Sequence, residues 1–266
     1  MFTDEVGDVM QPSAALHGKR GLVIGIANPQ SIAWGCARAF HAAGAQLAVT
    51  WLNGKAEPHV RPLAEALDAG LAMACDVREP GQLEAVFKAI EARWGSLDFV
   101  LHSIAFAPLE DLRGRLADSS AEGFRMAMDV SCHSFIRLAR LAEPLMPDGG
   151  CLLTVSFYGA EKVAPGYAFM GPVKAALESS VRVLASELGP RRIRVHALSP
   201  GVLLTRAASG LADLEGLQQQ WETRAPLAGG VDIDAIGAFA TFLVGDGARA
   251  VTGNVEYIDA GYHVMA

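Results

Sequence analysis

The sequence predicts a doubly wound α/β fold, in which a parallel sheet is covered by helices on both faces. Three observations predict it. Short β-branched runs alternate with Ala-rich stretches of helical period along the chain. The runs are apolar at nearly every position, so neither face of the sheet can meet water. Several of the helical stretches end in a single glycine, the residue that closes a helix without strain. The chain has 266 residues, 51% hydrophobic and 19% charged. It can therefore bury a large core, and disordered or fibrous classes are excluded.

Taken in order, Gly21–Ile26 reads as a buried strand and Ile32–Ala43 as a helix stopped by Gly44. Gln46–Trp51 is the second strand. Val60–Ala69 is helical and Gly70 closes it; Leu71–Cys75 is the third strand. Gln82–Trp94 is a helix ended by Gly95, and Leu97–His102 is the fourth strand. A long helical stretch runs from about Ser120 to Leu145. Cys151–Ser156 is a strand, Val173–Leu188 a helix and Ile193–Leu198 a strand. Residues 205–224 are helical but irregular, Ile233–Val244 is a helix, and Asn254–Ile258 is the last strand. Right-handed crossovers then give one Rossmann-type domain over residues 1–266, with a seven-stranded parallel sheet. Ligands of such sheets sit beyond the carboxyl ends of the strands.

Composition excludes several functions. The net charge is −7, without the basic excess that nucleic acid or an anionic membrane demands. No apolar run reaches the roughly 18 to 20 residues that span a bilayer. Residues 1–16 are acidic and lack a cationic start followed by an apolar block, so no secretory signal is expected. Cys36, Cys75, Cys132 and Cys151 are scattered, which fits a reducing cytoplasm and argues against bound metal.

The turn after the first strand reads Gly25-Ile26-Ala27-Asn28-Pro29-Gln30-Ser31-Ile32. Glycine allows close backbone approach, and the helix N-terminus beyond it offers free N–H groups to a phosphate. Ser31 can cap the helix or meet a phosphate oxygen. Ala27 takes the place of the usual second glycine, and the loop is longer than the common pattern. The end of the second strand, Trp51-Leu52-Asn53-Gly54-Lys55, has no acid for ribose hydroxyls and no arginine for a 2′-phosphate. Asp76, with Val77, could hold an adenine amino group; taken alone, Asp76 is a turn cap.

Two tyrosine–lysine pairs compete after the fifth strand. Tyr158 and Lys162 are four apart; Tyr167 and Lys174 are seven apart. Gly159 and Pro165-Gly166 make residues 158–166 a poor helix. Pro172 is tolerated only in a first turn, so a helix should begin near 168–172. That sets Tyr167 at a helix mouth and Lys174 inside the helix. Tyr158–Lys162 reads as a solvated loop pair.

The segments Gly25–Gly35, Cys75-Asp76-Val77, His102–Pro108 and Tyr167-x6-Lys174 resemble the NADH-dependent enoyl-[acyl-carrier-protein] reductases of bacterial type II fatty-acid synthesis. These form a divergent branch of the short-chain dehydrogenase/reductase superfamily. The resemblance covers about Gly18 to Gly261. It implies that Gly25, Ala27, Ser31 and Ile32 hold a pyrophosphate. Asp76 and Val77 would meet adenine, and Ser103, Ile104, Ala105, Gly201, Leu203 and Thr205 would surround the nicotinamide. Tyr167 and Lys174 would be catalytic, Lys174 also binding ribose. Ala107, Phe157, Tyr167 and Met170 would contact the acyl substrate, under a lid at 205–224.

The implied cofactor is NADH, with NADPH kept open by Lys55. The implied substrate is an enoyl thioester of acyl carrier protein or coenzyme A, and the implied assembly a homotetramer in the cytoplasm. Three positions depart from the family pattern. Phe157 stands where a second tyrosine is frequent, and Leu52 where a polar ribose contact is usual. Leu211–Gly216 lacks the basic residues that meet the carrier. Two other readings fit the residues. One is a carbonyl reductase or alcohol dehydrogenase working through Tyr158 and Lys162. The other is a nucleotide-binding regulator without catalysis.

Overall fold

The computed structural model describes residues 15–265 except 207 and 212. The N-terminal stretch read for a signal lies, up to residue 14, outside the described residues. Seven strands form one all-parallel sheet in the order β3-β2-β1-β4-β5-β6-β7. They are β1 (Arg20–Ile24), β2 (Gln46–Trp51), β3 (Leu71–Ala74), β4 (Phe99–His102), β5 (Gly150–Val155), β6 (Ile193–Pro200) and β7 (Val255–Ile258). The helices are α1 (Ile32–Ala42), α2 (Glu57–Ala66), α3 (Gln82–Trp94), α4 (Leu109–Arg113), α5 (Ala121–Met128), α6 (Ser134–Ala142), α7 (Met170–Leu188), α8 (Leu214–Arg224) and α9 (Ile233–Val244).

Alternate residues of each strand feed two cores. Leu22, Val100, Leu152 and Val195 pack with α3, α6 and α7. Val23, Val49, Leu101 and Leu153 pack with α1, α2 and α9. This two-sided burial is why the strands read as continuous apolar runs. The strand order reverses between β1 and β4, and a crevice opens there beyond the carboxyl ends. Among the described residues no helix is long and apolar enough to cross a membrane.

Several boundaries differ from the sequence reading. α2 begins at Glu57 rather than Val60, because Pro58 sits in the first turn, where its missing N–H costs nothing. α7 begins at Met170 rather than Val173, with Pro172 still within the first turn. The short helix α4 lies in a stretch the sequence left without an element.

The long stretch read over 120–145 is not one regular helix. A π-helical turn at Asp129–His133 separates α5 from α6, and a 3₁₀ turn follows at Glu143–Leu145. Side chains account for the wide turn. Ser131 Oγ accepts from the Phe106 N–H at 3.0 Å and donates to the Phe106 carbonyl at 3.1 Å. Ser134 Oγ donates to the Val130 carbonyl at 2.6 Å.

A buried histidine ties this turn to the sheet. His102 Nε2 lies 2.8 Å from Ser134 Oγ, and its Nδ1 lies 3.0 Å from Thr154 Oγ1. The Ser134 proton is already directed at Val130, so Nε2–H must donate to Ser134 and Nδ1 must accept from Thr154. Protonating Nδ1 would put a charge in this buried site and force the Thr154 hydroxyl to turn its own proton away. Burial accordingly lowers His102 from 6.5 to about 3, and lowers His196 to about 4.

The unfolded chain therefore binds protons that the folded chain refuses, from pH 6.5 down to about 4 for His196 and about 3 for His102. Stability is complete above the unfolded value and falls with pH through this window. Urea midpoints measured across it are expected to decline for the wild type and to decline less for His102→Asn. A midpoint that stays constant would remove these histidines from the account.

Candidate active site

Two clefts meet at the crevice. The first has a volume of about 500 Å³ and lies where β1 turns into α1. Gly25, at φ +104°, follows β1, and a Cβ there would lie 2.2 Å from the Ser103 carbonyl oxygen. Only glycine can pass this point. α1 then begins at Ser31, whose Oγ accepts from the Trp34 N–H at 3.3 Å and donates to the Asn28 carbonyl at 2.7 Å. The first-turn N–H groups of α1 have no intrahelical acceptor, so an anion is favoured there.

Asp76 and Val77, after β3, line the same cleft with Ser103, Ile104 and Ala105. The Asp76 carboxylate is gripped by Arg78, with Nε at 3.0 Å and Nη2 at 2.6 Å, and it also caps the Arg78 N–H. The guanidinium holds this carboxyl below the usual carboxylate range. The Arg78 side chain in turn lies over the Phe106 ring, 5.5 Å from its centroid. These features fit a dinucleotide: a turn with little side chain at Gly25 and Ala27, a helix N-terminus for its pyrophosphate, and a mixed wall for its adenine.

The second cleft is smaller, about 150 Å³, and mostly apolar. It shares Ala105, Phe106, Ala107 and Leu112 with the first. Tyr167, Lys174, Phe157 and Met170 line one side, and Gly201, Leu203 and Thr205 another. Leu211, Leu214 and Leu217 reach it from the lid region.

Gly159 lets the 3₁₀ turn at Tyr158–Ala160 lie flat on Tyr167. A Cβ at Gly159 would lie 2.5 Å from the Tyr167 ring. The Tyr167 carbonyl accepts from the Gly171 N–H at 3.1 Å, so the helical hydrogen bonding starts at Tyr167 itself. Phe157 packs against the Tyr167 ring with centroids 4.6 Å apart. Burial, then the charge of Glu178, pushes the Tyr167 phenol above its usual range and keeps it a donor. Lys174 is buried in α7 and donates from Nζ to the Val155 carbonyl at 2.6 Å. Burial lowers its amine to about 8, against the opposing effects of Cys132 and Glu178.

Residues 25–263 match the family model described as enoyl-(acyl carrier protein) reductase. The chain belongs to this family. It is 46% identical to enoyl-[acyl-carrier-protein] reductase [NADH] 1 of Rhizobium meliloti (strain 1021), over 96% of this chain and 94% of the relative. Among solved structures, it is similar to the Anaplasma phagocytophilum reductase in complex with NAD. That match has a TM-score of 0.91 and 44% identity, over 96% of this chain and 97% of the other. It is likewise similar to the Bacillus cereus enoyl-acyl carrier protein reductase with NADP+ and indole naphthyridinone. There the TM-score is 0.92 and the identity 41%, over 95% and 99% of the two chains.

The sequence-named residues converge. Gly25, Ala27, Asp76, Val77, Ser103 and Ile104 line the larger cleft, Ala105 and Ala107 both, and the others the smaller one, Ile32 included. Ser31 lines neither; its hydroxyl is spent on capping α1. Tyr158 and Lys162 line neither cleft. Lys162 is exposed and pairs with Glu161. Tyr158 is not the solvated residue the sequence suggested. It packs edge-on to Trp221 and Tyr262, at 5.6 and 5.5 Å.

Sequence reasoning missed Arg78, Phe106, Leu112 and the lid leucines. Arg78 had a local signal, an aspartate two residues before it at a turn. The leucines had none, because an irregular helix hides its inward face.

Lys174 is protonated below about pH 8 and neutral above it. The free enzyme's kcat/KM with an enoyl thioester should therefore fall as pH rises through about 8. A profile that stays level up to the titration range of an ordinary lysine would separate Lys174 from the rate.

Proposed function

We propose that this chain reduces the trans-2 double bond of an enoyl thioester with NADH in fatty-acid elongation. One observation supports the assignment most: Tyr167 and Lys174 share an apolar cleft that abuts the dinucleotide-shaped one. When bound, the nicotinamide supplies a hydride to the substrate Cβ. Charge then grows on the thioester oxygen. The Tyr167 phenol donates a hydrogen bond to that oxygen, at a protonated group whose pKa burial has raised. Lys174 binds the ribose hydroxyls and keeps the local field positive.

Gly25, Ala27 and Ile32 cradle the pyrophosphate, with Ser31 acting through the helix it caps. Val77 borders the adenine. Asp76 contributes through the oxygen edge left free by Arg78. Ser103, Ile104, Ala105, Gly201, Leu203 and Thr205 enclose the nicotinamide. Ala107, Phe157 and Met170 exclude water around the acyl group. Residues 205–224 form the lid of a single domain spanning 1–266. The thioester is carried by acyl carrier protein or coenzyme A, and the enzyme works in the cytoplasm as a homotetramer.

Tyr167→Phe removes one preorganised donor, worth about 3 kcal/mol, so kcat should drop by about two orders of magnitude. NADH binding, followed by fluorescence titration, should be unchanged. A wild-type rate of crotonyl-thioester reduction in this variant would sink the assignment. Turnover of ketones alone would favour the carbonyl-reductase reading. Sedimentation equilibrium is expected to give four times the 28.0 kDa chain mass. A monomer mass at working concentration would overturn the tetramer.

A further inference from the structure

Glu178 is a buried carboxylate that the reaction above does not use. It follows Lys174 by four residues on α7, the spacing at which a lysine and an acid usually pair along a helix. Yet among the described residues no nitrogen–oxygen contact within 4.0 Å joins them. Instead, Ser156 Oγ donates to Glu178 Oε1 at 2.5 Å. One residue earlier, the Val155 carbonyl accepts from Lys174 Nζ at 2.6 Å. Two consecutive residues leaving β5 are thus bonded to two consecutive turns of α7. The next residue, Phe157, packs on Tyr167.

We propose that Glu178 is a positioning residue. Bonded to Ser156, its carboxylate fixes the end of β5 beside Tyr167 and is kept from pairing with Lys174, leaving the ammonium on the Val155 carbonyl at the cleft. This proposal rests on the catalytic reading of Tyr167 and Lys174. The surrounding charges are consistent with it. Glu178 feels Arg182 on its own helix, Glu161 beyond the 3₁₀ turn, and Lys174. Tyr257 of β7 also senses it. Lys174 faces Cys132 of the π turn and His102 of β4 as well as Glu178. Glu178 therefore favours the ammonium at a distance without capturing it.

The test is the pH profile of crotonyl-thioester reduction for four variants, each checked for wild-type circular dichroism and NADH binding. Glu178→Gln keeps an acceptor for Ser156 but removes the charge. Its alkaline limb should move to lower pH. Glu178→Ala loses the bond as well, and kcat should fall about fivefold below that of Glu178→Gln, the loss expected for a hydrogen bond between neutral groups. Ser156→Ala frees the carboxylate to reach Lys174. Its kcat should fall and its limb move to higher pH. Adding Glu178→Gln to Ser156→Ala should bring the limb back down. An unmoved limb in both Glu178→Gln and Ser156→Ala would overturn the proposal, as would equal kcat in the Gln and Ala variants. An inactive wild type would instead refute the parent reading, so the two failures are distinguishable.

Discussion

Lys174 holds its ammonium inside the protein on one backbone carbonyl. Removing an ammonium from water is expensive unless hydrogen bonds replace the lost hydration. Val155 O, at 2.6 Å, supplies one of them and fixes where the other N–H donors can point. That carbonyl is the last of β5, and it is free because the β4–β5 pairing ends at His102 and Thr154. The site thus depends on how β5 stops against α7. If the β4–β5 pairing ran on past His102, its ladder would compete for the acceptor. If α7 began a turn later, Tyr167 would leave the helix mouth. The Gly159 contact and the Tyr167–Gly171 hydrogen bond set the second condition.

Beneath this junction the fold is stiffened by a neutral polar network. His102 and Thr154 lie side by side in register on β4 and β5, and Ser134 reaches them from α6. Each hydrogen has one acceptor, so the network specifies a single arrangement. The π turn it anchors meets α7 through Cys132, whose Sγ lies 3.7 Å from Ser180 Oγ. The buried histidine thus ties β4, β5 and α6 together beneath the site.

The fold was legible because two-sided burial leaves a strong trace. β5 and α3 could be read almost to the residue from unbroken apolar runs and glycine stops. The π turn was invisible to periodicity, because Ser131 and Ser134 act through tertiary bonds to Phe106 and His102. The placement of Tyr167 at the mouth of α7 was legible from Gly159, Pro165-Gly166 and Pro172, since glycine and proline limit where a helix can start. The packing of Tyr158 was not, because its partners Trp221 and Tyr262 are distant in sequence. Asp76 and Arg78 show the same limit. The turn was readable, but not that an arginine would occupy much of the carboxylate.

Phe157 has a second consequence beyond the missing hydroxyl. Its ring lies between Tyr167 and Trp221 of α8, with centroids 4.6 and 5.7 Å away. Trp221 stacks on Tyr262 at 3.7 Å and donates from Nε1 to the Asp259 carbonyl at 3.2 Å. Asp259 is itself pinned by the N–H groups of Gly261 and His263. A continuous aromatic column thus joins α8 to the Tyr167 wall of the smaller cleft and to the turn after β7. An apolar ring in the middle lets the column close by packing alone, whereas a buried hydroxyl there would need a partner of its own. The departure at residue 157 therefore suits a cleft lined by one phenol, Tyr167, with α8 held by stacking.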